Sequence, residues 1–552
     1  MLDRDRGRAP VAIAFDTGSD RPQNLPASYD DHAPHHGRRR RSTCGGPDAV
    51  RAALHPVTPT SSGIPERRTV AIVLAAGLGT RMKSTLPKVL HPLCGRPMIE
   101  YVLDAAVKAT GTRPLVVWSP ATEGVRDAVA AVADTAVQDV PRGTGDALRA
   151  ALAALDDGVE DVLVLSGDVP LVDAELLSSL LEARSMDHAA IALVSVAAID
   201  PTGLGRVVRN EGGTVERIVE EKDASEEELQ VGEINAGLYA IDAAWLRRRI
   251  GDLRPSSVTG ELYLTHLVGF AREDGRIVAA LDVDDDGRLT GINDRAQLAR
   301  AEWDMRVETN DRWMRAGVTM VDPSTVYLDH AVVLAEDVVL EPNVILRGRT
   351  TVGAGTRIAS GSQIHDSVIG ERCTVWASIV ERSTVEDDVT IGPFSHLRPG
   401  AHVGTRSEIG NYAEIKNSRL GRHVRQHHVS YLGDADVGAD TNVGAGTITA
   451  NYDGVRKHRT TIGERVFLGV DTMLRAPVTL GDDSKTGAGA VVTKDVPAGK
   501  LAVGVPARIR EIRPIAPAAP PLAEDAPVVP PAPPVAAEPP AKEPAAAEEP
   551  PA

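Results

Sequence analysis

Residues 70–90 read V-A-I-V-L-A-A-G-L-G-T-R-M-K-S-T-L-P-K-V-L. An apolar run rich in β-branched residues stops at Gly77, the pattern of a buried parallel strand. The glycine-bearing turn that follows lets backbone N–H groups approach an anion with no side chain in the way. Arg81, Lys83 and Lys88 come next and can neutralise that anion, so the expected ligand is a polyphosphate. Gly77-x-Gly79 lacks the third glycine, at position 82, of a dinucleotide fingerprint, and no Gly-Lys-Ser/Thr closes a P-loop.

Outward from this stretch, strand and helix patterns alternate as far as about Leu289. Val70–Ala75, Pro114–Trp118 and Asp161–Leu165 read as strands; Met98–Ala109, Gly145–Leu155 and Asp173–Ala183 carry helical spacing. The alternation predicts a Rossmann-like α/β domain over residues 67–294 with a mostly parallel sheet. Ligands of such sheets sit outside the carboxyl ends of the strands, which places the Gly77 loop and Ser166-Gly167-Asp168 on one rim. Asp168 is there either a hard oxygen ligand for Mg²⁺ or a helix cap. Asn293, in L-T-G-I-N-D, offers an amide oxygen to the same ion or is an ordinary turn or cap residue. Gln138 and the turn Gly143-Thr144-Gly145 could read a base. Gly205, Glu220, Lys222 and Asn235 lie in polar, turn-like runs, each unremarkable alone.

Residues 295–316 have helical character and read as a connector or as a core helix of the first domain. From about Val326 aliphatic residues recur every six positions: Val326, Val332, Val338, Val344; Val352, Ile358, Ile364; Val385, Ile391, Leu397, Val403, Ile409, Ile415; Ile462, Leu468, Leu474, Leu480. Glycine often follows, as in Ile391-Gly392 and Ile462-Gly463. A six-residue period suits neither a helix nor simple strand alternation; it predicts a hexapeptide parallel β-helix over residues 317–513, three hexads to a coil. Where the hexads lapse, L-G-R-H-V-R-Q-H-H-V-S-Y-L-G (420–433) gathers three histidines. Histidine titrates near neutrality and can serve as a general base toward an amine.

Composition narrows the function classes. Lys plus Arg number 60 against 77 Asp plus Glu, a net charge of −17, leaving no basic surplus for nucleic acid. Cys44, Cys94 and Cys373 are far apart and suit a reducing compartment. No apolar run is long enough to span a membrane and no signal-peptide core stands near Met1, so a cytoplasmic protein is expected. Aromatic content of 3% suits a repetitive fold of small aliphatic residues. Residues 1–66, with the block Arg38–Arg41, are expected to be a disordered extension or the product of a misassigned start codon. Residues 514–552, rich in Pro, Ala and Glu, are expected to be an extended acidic tail.

The string L-A-A-G-x-G-T-R-M followed by P-K resembles the signature of sugar-nucleotide pyrophosphorylases. In the second half S-H-L-R-P-G (395–400), N-Y-A-E-I-K (411–416), H-H-V-S-Y-L-G-D (427–434) and N-Y-D-G (451–454) stand in order. Together, residues 69–513 resemble the bifunctional bacterial UDP-N-acetylglucosamine pyrophosphorylase / glucosamine-1-phosphate N-acetyltransferase family. That resemblance implies a left-handed β-helix and two activities. It implies UTP contacts at Leu74, Ala75, Ala76, Gly77, Gln138, Gly143 and Thr144, a phosphate-binding Lys88, a catalytic Arg81, and Mg²⁺ on Asp168 and Asn293. Gly205, Glu220 and Asn235 would hold the amino sugar. In the solenoid it makes His428 the base and puts Arg398 and Lys416 on the sugar phosphate. Tyr431, Asn442 and Asn451 would orient the sugar, with Ala445, Tyr452, Val470 and Ala488 along the acetyl-CoA path. Val470 stands where many members carry serine, and Gly504 where an arginine can hold coenzyme phosphates; Arg508 is close enough in sequence to replace it. A homotrimer is implied, with acetyl sites between neighbouring solenoids. The rival readings are a single-activity pyrophosphorylase with a structural β-helix and a non-catalytic scaffold.

Overall fold

The computed structural model describes residues 68–284 and 287–512; the expected N-terminal extension and the acidic tail lie outside the described residues. The first domain contains β1 (Thr69–Leu74), a hairpin of β2 (Pro92–Leu93) and β3 (Arg96–Pro97), β4 (Leu115–Trp118), β5 (Asp134–Val137), β6 (Asp161–Ser166), β7 (Ile191–Ala197), β8 (Arg206–Arg209), β9 (Val215–Val219), β10 (Glu233–Asp242) and β11 (Val278–Val283). Its main sheet runs β11-β7-β10-β6-β1-β4-β5, with β8 and β9 attached beside β10. Pairing is parallel except around β10, which is antiparallel to β6, β7 and β8, and between β8 and β9.

Why β1 anchors this sheet is visible in its burial. Ala71, Ile72 and Val73 are wholly buried between two apolar layers, one on each face. After β1 the chain steps outward to β4 and β5, then returns to the other side of β1 as β6. The direction of winding therefore reverses between β1 and β6, and a crevice opens beyond their carboxyl ends. The helices α1 (Met98–Thr110), α2 (Glu123–Val129), α3 (Thr144–Ala153), α4 (Ala174–Met186), α5 (Ala243–Arg249) and α6 (His266–Glu273) complete the domain. Helix α1 ends at Gly111, whose φ of 66° suits a residue without Cβ.

The connector α7 (Arg295–Arg315) serves both neighbours. Leu298, Ala301 and Met305 pack with Leu93, Met98 and Leu171 of the first domain. Trp313 and Met314, in the last turn, cover the near end of the solenoid core. The β2–β3 hairpin also meets the solenoid: the His330 N–H donates to Cys94 O (2.9 Å), and a Cβ on Gly95 would come within 2.4 Å of the Asp329 carboxyl.

From Thr319 the chain forms a left-handed parallel β-helix with three faces of twelve, ten and nine short strands, the last strand of the first face, Arg508–Glu511, folding back antiparallel on Lys500–Val503. Each strand pairs with its counterpart one coil on, as Leu328 with Leu346 and Ile364 with Val380. The aliphatic runs occupy two inward positions rather than one. Leu328, Leu334, Leu340 and Leu346 continue into Val352, Ile358 and Ile364. Val326, Val332, Val338 and Val344, two residues earlier, continue into Thr350, Thr356 and Ser362, all buried. The second position accommodates hydroxyls where they bond a backbone carbonyl, as Thr350 Oγ1 does with Arg347 O (2.7 Å) and Thr356 Oγ1 with Gly370 O (2.8 Å). One coil is lengthened by a hairpin at residues 451–459, closed by a bridge between Tyr452 and Lys457.

Candidate active sites

At the crevice beyond β1 and β6 lies a cavity of 460 Å³ lined by Leu74, Ala75, Ala76, Gly77, Gly79, Lys88, Gln138, Gly143, Thr144, Ser166 and Asp168, among others. A Cβ on Gly77 would meet nothing within 4 Å, so the glycine leaves its space to a ligand. Gly79 is different. Its φ of +59° and a Cβ that would come within 2.5 Å of Lys88 Cβ both demand glycine, and this close approach delivers Lys88 to the cavity.

The Lys88 ammonium is bonded to Asp168 Oδ2 and donates to Asn293 Oδ1 at 3.0 Å. Both alternative readings of these residues as caps fail. The cap of α4 is Asp173, which accepts from Leu176 N–H (2.8 Å). The cap of α7 is Asp294, which accepts from Ala296 and Gln297 N–H (2.9 Å each). Asp168 and Asn293 thus cap no helix and instead turn their oxygens to the Lys88 ammonium, and Ile292 N–H to Asp168 O (2.9 Å) ties the two segments together. Two hard oxygens already converging on one cationic point fit Mg²⁺, with the remaining ligands left to substrate phosphates and water. Among the described residues no group of three or more His, Cys, Asp or Glu forms a cage of its own.

Gln138 is buried; its amide donates to Gly143 O (3.1 Å) and Asp146 Oδ2 (3.0 Å), which braces the 138–146 turn. Gly143 has φ +113°, and a Cβ there would come within 2.5 Å of Leu262 O. Thr144 Oγ1 accepts from Leu264 N–H (3.0 Å). Gly205, Glu220 and Asn235 come together nearby. Asn235 N–H donates to Gly205 O (2.9 Å), and a Cβ on Gly205 would lie 3.6 Å from Glu220 Oε2. Asn235 Oδ1 accepts from Gly237 N–H (3.1 Å), and Gly237 closes on Ser166 of the cavity wall. Burial raises the Glu220 carboxyl above its usual pKa, countered in part by the Thr265 hydroxyl (3.0 Å). Arg81 is exposed on the 3₁₀ turn Thr80–Met82 and is not part of the cavity lining. Glu261 lines the cavity too, and no sequence pattern marked it.

On the solenoid, pleating sorts the second set. Leu397, Ile415 and Leu432 point inward and are fully buried. Their neighbours Arg398, Glu414, Lys416 and Tyr431 therefore share the outer face of three stacked strands. Arg398 donates to Glu414 (2.7 Å). Lys457, at the inserted hairpin, lies beside Lys416 and holds its ammonium below the ordinary lysine pKa, with desolvation and Arg398 adding to the effect. Three cations thus crowd one patch, and Lys457 was not singled out from sequence; its only signal was a loop too long for a hexad. A Cβ on Gly433 would come within 2.2 Å of the Tyr431 hydroxyl, so Tyr431 lies over that glycine. Asp434, buried and also unforeseen, bonds the Asn417 and Asn451 side-chain amides with its two oxygens.

His428 stands exposed at the corner between the first and second faces. Its neighbour His427 is bonded to Glu408 (2.7 Å), while the His428 ring has no hydrogen-bond partner among the described residues. The same corner in the next coils is Gly444-Ala445-Gly446, Gly469-Val470-Asp471 and Gly487-Ala488-Gly489. Successive corners are linked by Gly446 N–H to Val429 O (2.7 Å), Asp471 N–H to Ala445 O (2.6 Å) and Gly489 N–H to Val470 O (2.8 Å). Ala445, Val470 and Ala488 thus form a file of small side chains leading from His428. Asn442 precedes this corner on its strand, and Tyr452, exposed, donates to Gly454 O (2.6 Å). Arg508 lies on the last strand opposite Val503, and the Val503 side chain abuts Gly487.

Comparison with known proteins agrees with this division. Residues 71–224 match the MobA-like NTP transferase domain; residues 382–417 match the bacterial transferase hexapeptide (six repeats), and 459–494 the hexapeptide repeat of succinyl-transferase. The bifunctional protein GlmU of Pelobacter propionicus is 45% identical over 437 residues, covering 78% of this chain and 95% of that protein. Those of Heliobacterium modesticaldum and Clavibacter sepedonicus are 43% and 42% identical, covering 78% and 80% of this chain and 94% and 91% of theirs. On identity and coverage the chain belongs to the bifunctional GlmU family.

Proposed function

We propose that the chain acetylates glucosamine-1-phosphate with acetyl-CoA on its solenoid and transfers UMP from UTP to N-acetylglucosamine-1-phosphate in its first domain. In the first reaction the sugar amine attacks the thioester carbonyl. His428 takes the amine proton as the C–N bond forms, and the C–S bond then breaks to release the coenzyme thiol. Arg398, Lys416 and Lys457 hold the sugar phosphate, while Tyr431 and Asn451 orient the ring, Asn451 being fixed by Asp434. The acetyl-CoA arm runs along Ala445, Val470 and Ala488, with Arg508 near its far end.

In the second reaction a phosphate oxygen of the acetylated sugar attacks the α-phosphorus of UTP, and the bond to the β-phosphate oxygen breaks to release pyrophosphate. Mg²⁺ held by Asp168 and Asn293 would neutralise charge on the reacting phosphates. Lys88 does the same from the cavity wall, and Arg81, exposed one residue beyond the lining residue Thr80, from outside it. Gln138, Gly143 and Thr144 frame the uracil. Glu220 and Asn235 position the N-acetyl sugar for in-line attack.

What supports two reactions rather than one is the presence of an exposed histidine with no hydrogen-bond partner among the described residues, on the same coil as Tyr431 of the cationic face, an arrangement that a purely structural β-helix would not need. A homotrimer belongs to the same proposal. Trp376, Phe394 and Tyr412 are 53%, 57% and 61% exposed at the corners below His428, and the Phe394 and Tyr412 rings stack at 5.4 Å. So much apolar surface beside a catalytic corner favours cover by a second copy of the chain. No described helix is long and apolar enough to cross a membrane, and the proposed substrates are soluble, which favours a cytoplasmic site.

The test is direct. The purified chain should release coenzyme thiol with glucosamine-1-phosphate and acetyl-CoA, and pyrophosphate with N-acetylglucosamine-1-phosphate and UTP. A chelator should stop only the second. Pyrophosphate release without thiol release would favour the single-activity reading, and a monomeric mass in solution would remove the trimer.

A further inference from the structure

On the first face of the solenoid, the inward residue next to the catalytic corner is aliphatic in five coils, at Val375, Ile391, Ile409, Val443 and Leu468, before Thr486 takes the position. Between Ile409 and Val443 stands Gln426, paired with Ile409 and fully buried. An amide there places polar atoms among hydrocarbon, which is unfavourable unless they are bonded. Gln426 Nε2 donates to Ser430 Oγ at 2.9 Å, and Oε1 has no partner among the described residues. Ser430 in turn donates to the backbone carbonyl of His428 at 2.8 Å.

The serine bond alone is ordinary in this fold. Ser378 and Ser418 also donate to the carbonyl two residues back, at 2.7 and 2.8 Å. Those hydroxyls accept, in turn, a backbone N–H from the next coil: Ser395 N–H to Ser378 Oγ (3.1 Å) and Ala435 N–H to Ser418 Oγ (2.9 Å). Above Ser430 the corresponding donor, Thr447 N–H, is turned to Gly444 O (3.2 Å). Gln426 supplies the missing donor. A hydroxyl oxygen that accepts from Gln426 keeps its own hydrogen on the His428 carbonyl.

We infer that Gln426 is a positioning residue for acetyl transfer, holding the corner 427–429 through Ser430 so that His428 faces the amine. Among the described residues the His428 ring has no hydrogen-bond partner, only an edge-to-face contact with the His427 ring (6.3 Å between centroids), and both rings are carried by the corner backbone, so the aim of His428 depends on that backbone. The unsatisfied Oε1 is a stability cost accepted for that placement. The inference rests on the proposed role of His428 as base.

The full chain carrying Gln426→Val, Ser430→Ala, both, or His428→Ala separates the possibilities. Gln426→Val should keep or raise the melting temperature, leave both acetyl-transfer KM values unchanged within about twofold, and lower kcat about tenfold, the penalty for a slightly misplaced base. Ser430→Ala should lower kcat alike, and the double variant should be no worse than either single one, because both act through one link. An unchanged kcat in Gln426→Val, with His428→Ala inactive, would overturn the positioning role and leave the base intact. An active His428→Ala would overturn the reading of the base. A lower kcat with raised KM and a lowered melting temperature would mark general damage to the coil and also overturn the inference.

Discussion

The two anion-handling regions are built in opposite ways. In the first domain the lysine is already bonded, with Lys88 between Asp168 and Asn293 at the foot of a cavity within one fold. On the solenoid the lysines face each other, with Lys457 depressing Lys416 on an open outer surface. Under the proposed function, the first region would exchange the Lys88 ammonium for Mg²⁺ on the Asp168 and Asn293 oxygens as substrate arrives. The second carries a repulsion, partly offset by Asp434, that a bound anion would relieve further. An enclosed, self-neutralised site can be selective for a metal-bound polyphosphate, while an exposed and frustrated one is primed for a single phosphate.

The largest expected effect breaks the first half of that contrast. Lys88→Ala leaves the Asp168 carboxylate without its ammonium, and uridylyl transfer should fall about 10²- to 10³-fold, read by pyrophosphate release, with thiol release intact. Gly433→Ala attacks the second half. The added Cβ collides with the far end of the Tyr431 side chain, which can swing away, so the fold should survive while acetyl transfer falls about 10- to 100-fold. Lys457→Ala should raise KM for glucosamine-1-phosphate about tenfold, the worth of one charge-assisted contact, with KM for acetyl-CoA unchanged.

Smaller effects sharpen the contrast. Because burial raises the pKa of Glu220, the folded chain binds its proton more tightly than the unfolded chain. Stability from this group is therefore lost as pH rises from 4.5 through the raised value. Glu220→Gln should remove that slope and raise the melting temperature at pH 7, while KM for N-acetylglucosamine-1-phosphate increases. Lys416 has the reverse sign. Its lowered pKa means the folded chain holds the proton less tightly, a penalty present at neutral pH that disappears as pH rises through the lowered value toward 10.5. Inorganic phosphate should raise the melting temperature slightly at neutral pH, less so toward pH 10, and not in Lys457→Ala.

The architecture was legible because its signals are local. The six-residue period survives as three faces of paired strands, and the run ending at Gly77 is the strand around which the sheet reverses. The roles of Asp168 and Asn293 were ambiguous in sequence, since either could cap a helix. Only the observation that Asp173 and Asp294 do the capping frees them. Lys457 and Glu261 were illegible because each reaches its site through a loop whose path no periodicity encodes, whereas Asp434 stood in a quoted segment at a coil corner and only the fold shows that it is buried. Gln426 sat in a quoted segment, yet its burial follows only from coil register. Arg81, expected at the chemistry, lies outside the cavity wall, since a one-turn 3₁₀ segment points it to solvent.

The central claim is that two independent transfer sites share one chain, and the most direct measurement is to assay both half-reactions in Asp168→Ala and in His428→Ala. Asp168→Ala should release thiol at the wild-type rate and lose pyrophosphate release, and His428→Ala should do the opposite. Loss of both activities in either variant, with the fold intact, would contradict the account.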